Sequence, residues 1–425
     1  KTRSLKDYIT DIRDIACPSA KCNFGAVDYF PNQVMYLCAD IDDLKRDTGF
    51  EPKVDFKTGI KNTVEWYKEI MADLILIPVV LLFLYKIEYK KDGIYEDYLD
   101  VERCNILRGG MAVVVVLFHI GLYVKENILK ICQGPDAVKI FFFLSGFGLI
   151  LSLKNKPNYL KGFLSKRLAK IIIPLILPTI SFFFLYKYVI CSYYTKSVFS
   201  FKSVIAEFIN HGYPFIYNSW YIIVLIVLYL IFYISFLISK SDLQKGTMVA
   251  TAITCVFMLS MFGLSVKKGW ISDYSMSTFA FLFGLYFGLY KNKIDKFLAR
   301  HYSKISFVLV LALTITVMLS LSIYYSMGSN LFYLMFKNLV LGPFIVIGVV
   351  LAGAKIKLNN PFWKYVGNIS YDLYLVHAIC YVLLRSKFIN VENDFLFVLA
   401  TLVSSLILAS VFHAINNCII KLYFK

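Results

Sequence analysis

Apolar runs of about twenty residues, separated by short polar loops, fill the chain from about residue 104 to its end. A helix needs about 20 apolar residues to cross the hydrocarbon core of a bilayer. Ten runs reach or approach that length, so the pattern predicts an all-α bundle of about ten membrane-spanning helices. The predicted spans are 105–124, 138–153, 168–189, 219–238, 247–264, 274–290, 304–325, 332–353, 366–384 and 395–418.

Residues 1–70 have a different pattern, because charged residues of both signs interrupt their apolar stretches. This pattern predicts a short soluble α/β segment ahead of the membrane bundle. Within it, the spacing of Ile60, Val64 and Tyr67 predicts an amphipathic helix over 55–68.

Residues 71–103 are predicted to link this segment to the membrane domain at 104–425. Residues 74–85 in this linker are apolar, but they are few for a span and Pro78 interrupts them. We therefore expect an interfacial or re-entrant helix here. Such a helix does not cross the membrane, so it leaves unchanged the side of the membrane to which the charges of the later loops assign each loop.

Composition supports a membrane protein, since 58% of the 425 residues are hydrophobic. The net charge of +17 comes largely from Lys and Arg in the loops, which indicates membrane topology rather than a nucleic-acid partner. The loops after even-numbered spans are the richer in basic residues. By the positive-inside rule, the bundle is predicted to lie in the cytoplasmic membrane with both of its ends in the cytoplasm.

Arg108 and His119 are ionisable residues inside the first predicted span. Eleven residues of helix separate them by about 16 Å along the axis and place them on nearly the same face. Ionisable groups within a span are costly and commonly functional, and imidazole titrates near neutral pH. The alternative for His119, of about equal weight, is a buried histidine that hydrogen-bonds a neighbouring helix.

The loop from Lys154 to Lys170 carries six basic residues and no acidic one. Composition alone favours a topology anchor. The second interpretation is a phosphate site, because Lys166, Arg167 and Lys170 lie within about one helical turn on the side where Arg108 is expected. Coenzyme A fits this spacing, with phosphates at the basic loop and its pantetheine arm directed toward His119. Acyl-CoA, most simply acetyl-CoA, is thus predicted as a donor substrate, with no permanently bound cofactor and no metal.

At these residues the chain resembles the membrane acyltransferase 3 family over about 103–420. The family's R-x10-H pattern corresponds to Arg108 and His119, and its F-F-x-L-S-G pattern to Phe141-Phe-Phe-Leu-Ser-Gly146. Its R-x-x-R-I followed by Pro corresponds to Arg167-Leu-Ala-Lys-Ile-Ile-Ile-Pro174, where Lys170 replaces the second Arg. Its S-W pair corresponds to Ser219-Trp220, and its I-S-Y-x-x-Y-L-x-H pattern to Ile369-Ser-Tyr-Asp-Leu-Tyr-Leu-Val-His377.

The resemblance implies an enzyme that moves acyl groups from cytoplasmic acyl-CoA to a hydroxyl of a surface polysaccharide or lipid-linked sugar. His119 would be catalytic and Arg108 would position the donor or the site. Arg167, Lys166 and Lys170 would hold the donor phosphates. Ser145, Trp220, Tyr371 and His377 are candidates for lining the site. Three of these four have a structural alternative: helix packing at Ser145-Gly146, an interfacial anchor at Trp220, and a structural role for His377.

Residues 22–70 resemble the C-terminal end of a nucleotide-sugar epimerase/dehydratase, through Phe24-Gly-Ala-Val-Asp-Tyr29 and Thr48-Gly-Phe-Glu-Pro52. The chain has no G-x-G-x-x-G after a strand, so it is not expected to bind NAD. This segment is interpreted as the C-terminal remnant of such a domain, which either belongs to a longer fused protein or reflects where the sequence was cut.

Two other functions remain open from the sequence. A transporter or flippase for a glycan precursor would also use about ten spans with a few intramembrane charges, although no internal repeat is evident. A structural anchor for an upstream sugar enzyme would leave the five motifs unexplained.

Overall fold

The computed structural model describes residues 3–26, 39–124, 129, 132–185, 202, 205, 209, 219–268, 276–328 and 330–424, without the side chains of residues 68–73 and 268. Most of these residues are helical and only two short strands are described, which confirms the predicted polytopic helical bundle.

The N-terminal segment contains helices α1 (Leu5–Ala16), α2 (Asp42–Thr48) and α3 (Phe56–Asp73). Helix α1 packs on α3 through the Tyr8 and Phe56 rings, whose centroids are 4.6 Å apart. Asp11 accepts a hydrogen bond from Arg3 at 2.5 Å, which lowers the pKa of its carboxyl. The predicted helix at 55–68 is confirmed by α3. The strands expected of an α/β segment are not present in its described residues, which exclude 27–38.

The linker forms a nine-residue helix, α4 (Leu76–Leu84), and a short strand, β1 (Ile87–Tyr89). At 1.5 Å per residue α4 is about 13 Å long, too short to cross a bilayer. Strand β1 pairs antiparallel with β2 (Ile356–Leu358), so the linker is held to the loop that follows the eighth predicted span.

Ten segments of the membrane domain overlap the ten predicted spans. They are α5 (Val101–Gly121), α6 (Gly134–Asn155), α7 (Phe163–Leu185), α8 (Trp220–Ile238), α9 (Leu243–Lys268), α10 (Phe279–Leu289), α11 (Lys291–Met327), the continuous run α12 (Leu331–Phe336), π-helix (Lys337–Leu341) and α13 (Gly342–Lys355), the pair α14 (Pro361–Asn368) and α15 (Ser370–Leu384), and α16 (Asp394–Tyr423).

Eight of these segments are long and apolar enough to span, and a ninth is the pair α14–α15, bent by 78°. The predicted span 366–384 begins in α14 and contains this bend, between Asn368 and Ser370. The sixth predicted span, 274–290, contains only the eleven-residue α10 as a described helix. Residues 269–275, which precede it, are outside the described part of the chain.

The helices divide into an inner set and an outer set by burial. In α5, α6 and α8, 61%, 67% and 56% of the apolar window is buried, against 11% in α9 and 17% in α11. Glycines allow the inner helices to approach closely. A Cβ on Gly146 of α6 would overlap the carbonyl oxygen of Phe281 in α10, and one on Gly284 would overlap that of Phe143. Small residues have this role in membrane helix packing, where backbones come into contact.

Candidate active site

A cavity of about 490 Å³ lies among α5, α6, α7, α8 and the bend between α14 and α15. Five of the nine predicted site residues line it, although they come from four different segments of the chain. These five are Arg108, Ser145, Arg167, Lys170 and Tyr371. The fold therefore brings together motifs that are up to 263 positions apart.

The close contact between α5 and α14 fixes Arg108 beside the bend. A Cβ on Gly109 would overlap the Trp363 carbonyl oxygen, so the two backbones touch there. The Asn105 amide donates to the Lys364 carbonyl at 3.1 Å and to the Asn368 side-chain oxygen at 2.6 Å. These contacts hold the first turns of α5 against α14, directly before the bend where the cavity lies.

The basic loop forms a second hollow, of about 320 Å³, at the start of α7. It shares Arg167 and Lys170 with the cavity, and Lys166 lines it as well. Arg167 donates to the Tyr159 hydroxyl at 2.6 Å and lies 5.9 Å from the Tyr229 ring centroid. Among the described residues that line the two hollows, none is acidic. The arrangement therefore suits an anionic group such as a phosphate.

Ser145 and Gly146 have separate roles in α6. Gly146 packs against α10, which agrees with the packing interpretation of this pair. Ser145 lines the cavity and hydrogen-bonds Tyr221, the residue after Trp220. On the opposite wall, the Tyr371 hydroxyl donates to the Ile171 carbonyl at 3.0 Å. Within the described part of the chain, the hydrogen-bond partner of Ser145 is Tyr221 and not a histidine, the residue that usually activates a serine nucleophile.

His119 and His377 hydrogen-bond each other, with 2.9 Å between Nδ1 of His119 and Nε2 of His377. The other ring nitrogen of His377, Nδ1, lies 2.7 Å from the Tyr374 carbonyl oxygen. A carbonyl oxygen only accepts, so His377 carries its proton on Nδ1 and, when neutral, accepts at Nε2. His119 must then donate from Nδ1. Its own Nε2 is left with a free lone pair, the form required of a base.

Tyr374 connects the histidine pair to the cavity. Its side chain lines the cavity, and its carbonyl holds His377. His119 is half-buried and His377 almost fully buried. Neither histidine is among the residues that line the cavity. The pair therefore lies behind Tyr374, and His119 lies further along α5 than Arg108.

Trp220 is buried near Phe142, with ring centroids 6.5 Å apart, rather than in the cavity wall. Its neighbour Tyr221 lines the cavity instead, as do Tyr229 and Tyr374. The sequence interpretation did not single out these three tyrosines. Of the three, only Tyr374 lies within one of the family motifs, between Tyr371 and His377. Its position in that motif is the one feature of the sequence that could have identified it.

Asp372 is buried, although it lies in the first turn of α15. It is 4% exposed and accepts hydrogen bonds from the His413 ring and the Asn416 amide of α16, both at 2.7 Å. Tyr371 and Asp372 are adjacent, so they point to different sides of α15. The hydrogen bonds of Asp372 therefore hold α16 against α15, the helix that carries Tyr371 and His377. Among the described residues, no three His, Cys, Asp or Glu side chains form a group that could hold a metal ion.

The fold and this site define a multi-pass helical membrane protein with a cation-lined cavity and a histidine pair beside it. The family model described as an acyltransferase domain, that of acyltransferase family 3, matches residues 101–414. The chain belongs to this family, and it is an acyl-transferring membrane enzyme. Comparisons with curated proteins and with solved structures give no match. The match does not extend to residues 22–70, whose resemblance to an epimerase/dehydratase stays a prediction.

Proposed function

We propose that the protein is an O-acyltransferase that moves an acyl group, with acetyl as the first candidate, from cytoplasmic acyl-CoA to a hydroxyl of a surface glycan or glycolipid. The observation that carries the proposal is the histidine pair, which leaves Nε2 of His119 unprotonated behind a cavity lined by Arg108, Arg167 and Lys170. A base and an anion site are the two parts that acyl transfer from a phosphorylated donor requires.

The donor would bind from the side of the basic loop. Its phosphates would lie in the hollow lined by Lys166, Arg167 and Lys170, where guanidinium and ammonium groups hold phosphate oxygens. Its thioester end would extend through the cavity past Arg108. His119 lies about 16 Å further along the axis of α5 than Arg108, in the direction that this path takes.

The transfer step places His119 between acceptor and donor. The acceptor oxygen attacks the thioester carbon while Nε2 of His119 takes the hydroxyl proton. The carbon–sulfur bond then breaks, and the leaving thiolate takes that proton from His119. His377 keeps His119 in the correct tautomer and orientation throughout, as the third member of a catalytic triad does for its histidine. In this scheme His119 is the catalytic residue and His377 a positioning residue.

The loop charges support an orientation in which the donor hollow faces the cytoplasm. Lys and Arg are concentrated in loops on the side of Lys154–Lys170, which the positive-inside rule assigns to the cytoplasm. With this orientation, His119 lies nearer the outer half of the bundle, on the side where surface glycans are modified.

The test replaces His119 by alanine and measures transfer of labelled acetyl from acetyl-CoA to surface glycan in membranes that contain the full chain. General acid–base catalysis is worth about 100- to 10,000-fold, so we expect a loss in that range. His301→Ala removes an exposed histidine from α11 and is the control. Mass spectrometry of the glycan in cells with and without the gene identifies the acyl group. Full acetylation by His119→Ala, in a protein that inserts normally, would rule out this mechanism.

A further inference from the structure

A second cavity, of about 200 Å³, lies on the other face of α5. We call it the rear slot. It is lined by Arg103, Ile106, Leu107 and Met111 of α5 and by Val349 and Val350 of α13, among others. None of its lining residues lines the active-site cavity. Arg103 and Arg108 are five residues apart, so their side chains leave the helix in directions that differ by about 140°.

Arg103 forms the polar end of the rear slot. Its side chain is 8% exposed, donates to Asp97 at 2.8 Å and stacks on the Tyr95 ring at 4.4 Å. Its Nε is buried and has no hydrogen-bond partner among the described residues. An unmet donor on a buried charged group is costly, which makes this nitrogen a site where an acceptor would bind favourably.

The charge around Arg103 is positive. Asp97 is bonded to Arg103 and also lies 4.0 Å from the ammonium of Lys357. Asp100 also accepts from the Arg103 backbone N–H at 2.8 Å, and the Lys90 ammonium lies 5.3 Å from the ring centroid of Tyr95, on which Arg103 stacks. The three cations and two carboxylates of this group leave a net charge of one positive unit. Nearby Tyr98 donates to Asp295, which is already paired with Lys291, and burial together with this bond raises the pKa of the Tyr98 hydroxyl.

The remainder of the rear slot is apolar and extends into the membrane-spanning part of α5. Arg103 and Met111 are eight residues apart, which corresponds to about 12 Å along the helix. Arg103 lies in the polar first turn, whereas Ile106, Leu107 and Met111 belong to the apolar run. The rear slot therefore has a cation at the membrane surface and an apolar channel below it, the same order as the head and chain of a lipid.

We propose that the rear slot binds one anionic phospholipid of the surrounding leaflet. A phosphate oxygen accepts from Nε of Arg103, and an acyl chain lies between α5 and α13. The lipid fills the gap behind the helix that carries Arg108 and His119, and so supports their position from the rear. This inference concerns a different cavity and is independent of the proposed reaction.

The test counts lipids retained by the purified full chain, with native mass spectrometry, after incubation with phosphatidylglycerol or phosphatidylcholine. We expect one retained phosphatidylglycerol and about tenfold weaker retention of phosphatidylcholine. Arg103→Gln should weaken phosphatidylglycerol retention about tenfold, because it removes a charged donor. Asp97→Asn breaks the same ion pair but keeps the guanidinium, so it should retain the lipid.

Met111→Trp tests the apolar part and leaves the Arg103–Asp97 pair in place, which keeps the proposal falsifiable if Arg103→Gln does not fold. It should exclude the lipid, whereas Met318→Trp on the exposed face of α11 should not. Wild-type retention in either Arg103→Gln or Met111→Trp would overturn the proposal. Displacement of the lipid by palmitoyl-CoA, or retention of oleate in its place, would also overturn it, since the occupant would then be a donor chain or a fatty acid.

Discussion

Helices α6 and α11 are both long and apolar enough to span a membrane, but their surroundings differ. Two thirds of the apolar window of α6 is buried in protein, against 17% for α11. Helix α6 contributes Ser145 to the cavity and Gly146 to a backbone contact with α10. Helix α11 exposes large apolar residues such as Phe307, Val308 and Met318 along its length.

The difference shows that apolarity places a helix in the bilayer but does not identify its role. Lipid tails are as apolar as leucine, so hydrophobicity alone gives two membrane helices little reason to associate. Small residues and hydrogen-bonding groups supply that reason. Gly109, Gly146, Gly284 and Gly367 all lie at contacts of the inner helices, where a Cβ would overlap a neighbouring backbone atom. Four predictions test this division between inner and outer helices.

The largest effect is expected at His377, on an inner helix. His377→Phe removes the acceptor for the Nδ1 proton of His119, so the transfer rate should fall about 100-fold with little change in KM for the donor. His377→Gln should restore a large part of the rate, because its amide oxygen can accept that proton. His301→Phe on α11 should leave the transfer rate unchanged in the same assay. An unchanged rate in His377→Phe would remove His377 from the mechanism.

The next effect concerns stability and compares two glycines of α6. Gly146→Ala places a methyl group on the Phe281 carbonyl oxygen, so the free energy of unfolding should fall by about 2 kcal/mol. A Cβ on Gly148 meets nothing within 4 Å, so Gly148→Ala should be neutral or stabilising by up to about 1 kcal/mol. Unfolding in detergent measures both. Equal stability of the two variants would show that α6 and α10 are not in backbone contact.

A smaller effect is expected from the loss of one cation at the donor hollow. Arg167→Gln should raise KM for acetyl-CoA about tenfold, because a charged hydrogen-bond donor to phosphate is lost. Lys293→Gln removes the same charge from the exposed start of α11 and should leave KM unchanged. If both substitutions raise KM equally, the basic residues attract the donor only through overall charge, and the hollow is not a binding site.

The smallest effect is expected on the outer face of α11. Met318 is 67% exposed, so Met318→Ala should change the free energy of unfolding by less than about 0.5 kcal/mol. Lipid can fill the space that the side chain leaves. A loss of 2 kcal/mol or more would indicate that another protein surface covers this face.

Much of the site could be predicted from local patterns. The positions of the helices follow from the length of the apolar runs, and Arg108, Arg167 and Lys170 were identified by charge and spacing. The bend at Ile369 has only a weak local signal, because Gly367 and Asn368 before it are residues that often end helices but also occur inside them. The burial of Asp372 has no local signal, since its partners His413 and Asn416 lie more than forty residues away.

The sequence by itself determined where the apolar helices lie along the chain and how charge is distributed in their loops, since both depend on residues that are neighbours along the chain. Only the tertiary structure decided that His377 is the partner of His119, 258 residues away, and that Tyr374 fixes the tautomer of both rings. It also decided that Arg103 faces a separate slot, away from Arg108. Hydrogen bonds of this kind depend on which helices pack together and on their rotation, and a hydropathy pattern carries neither.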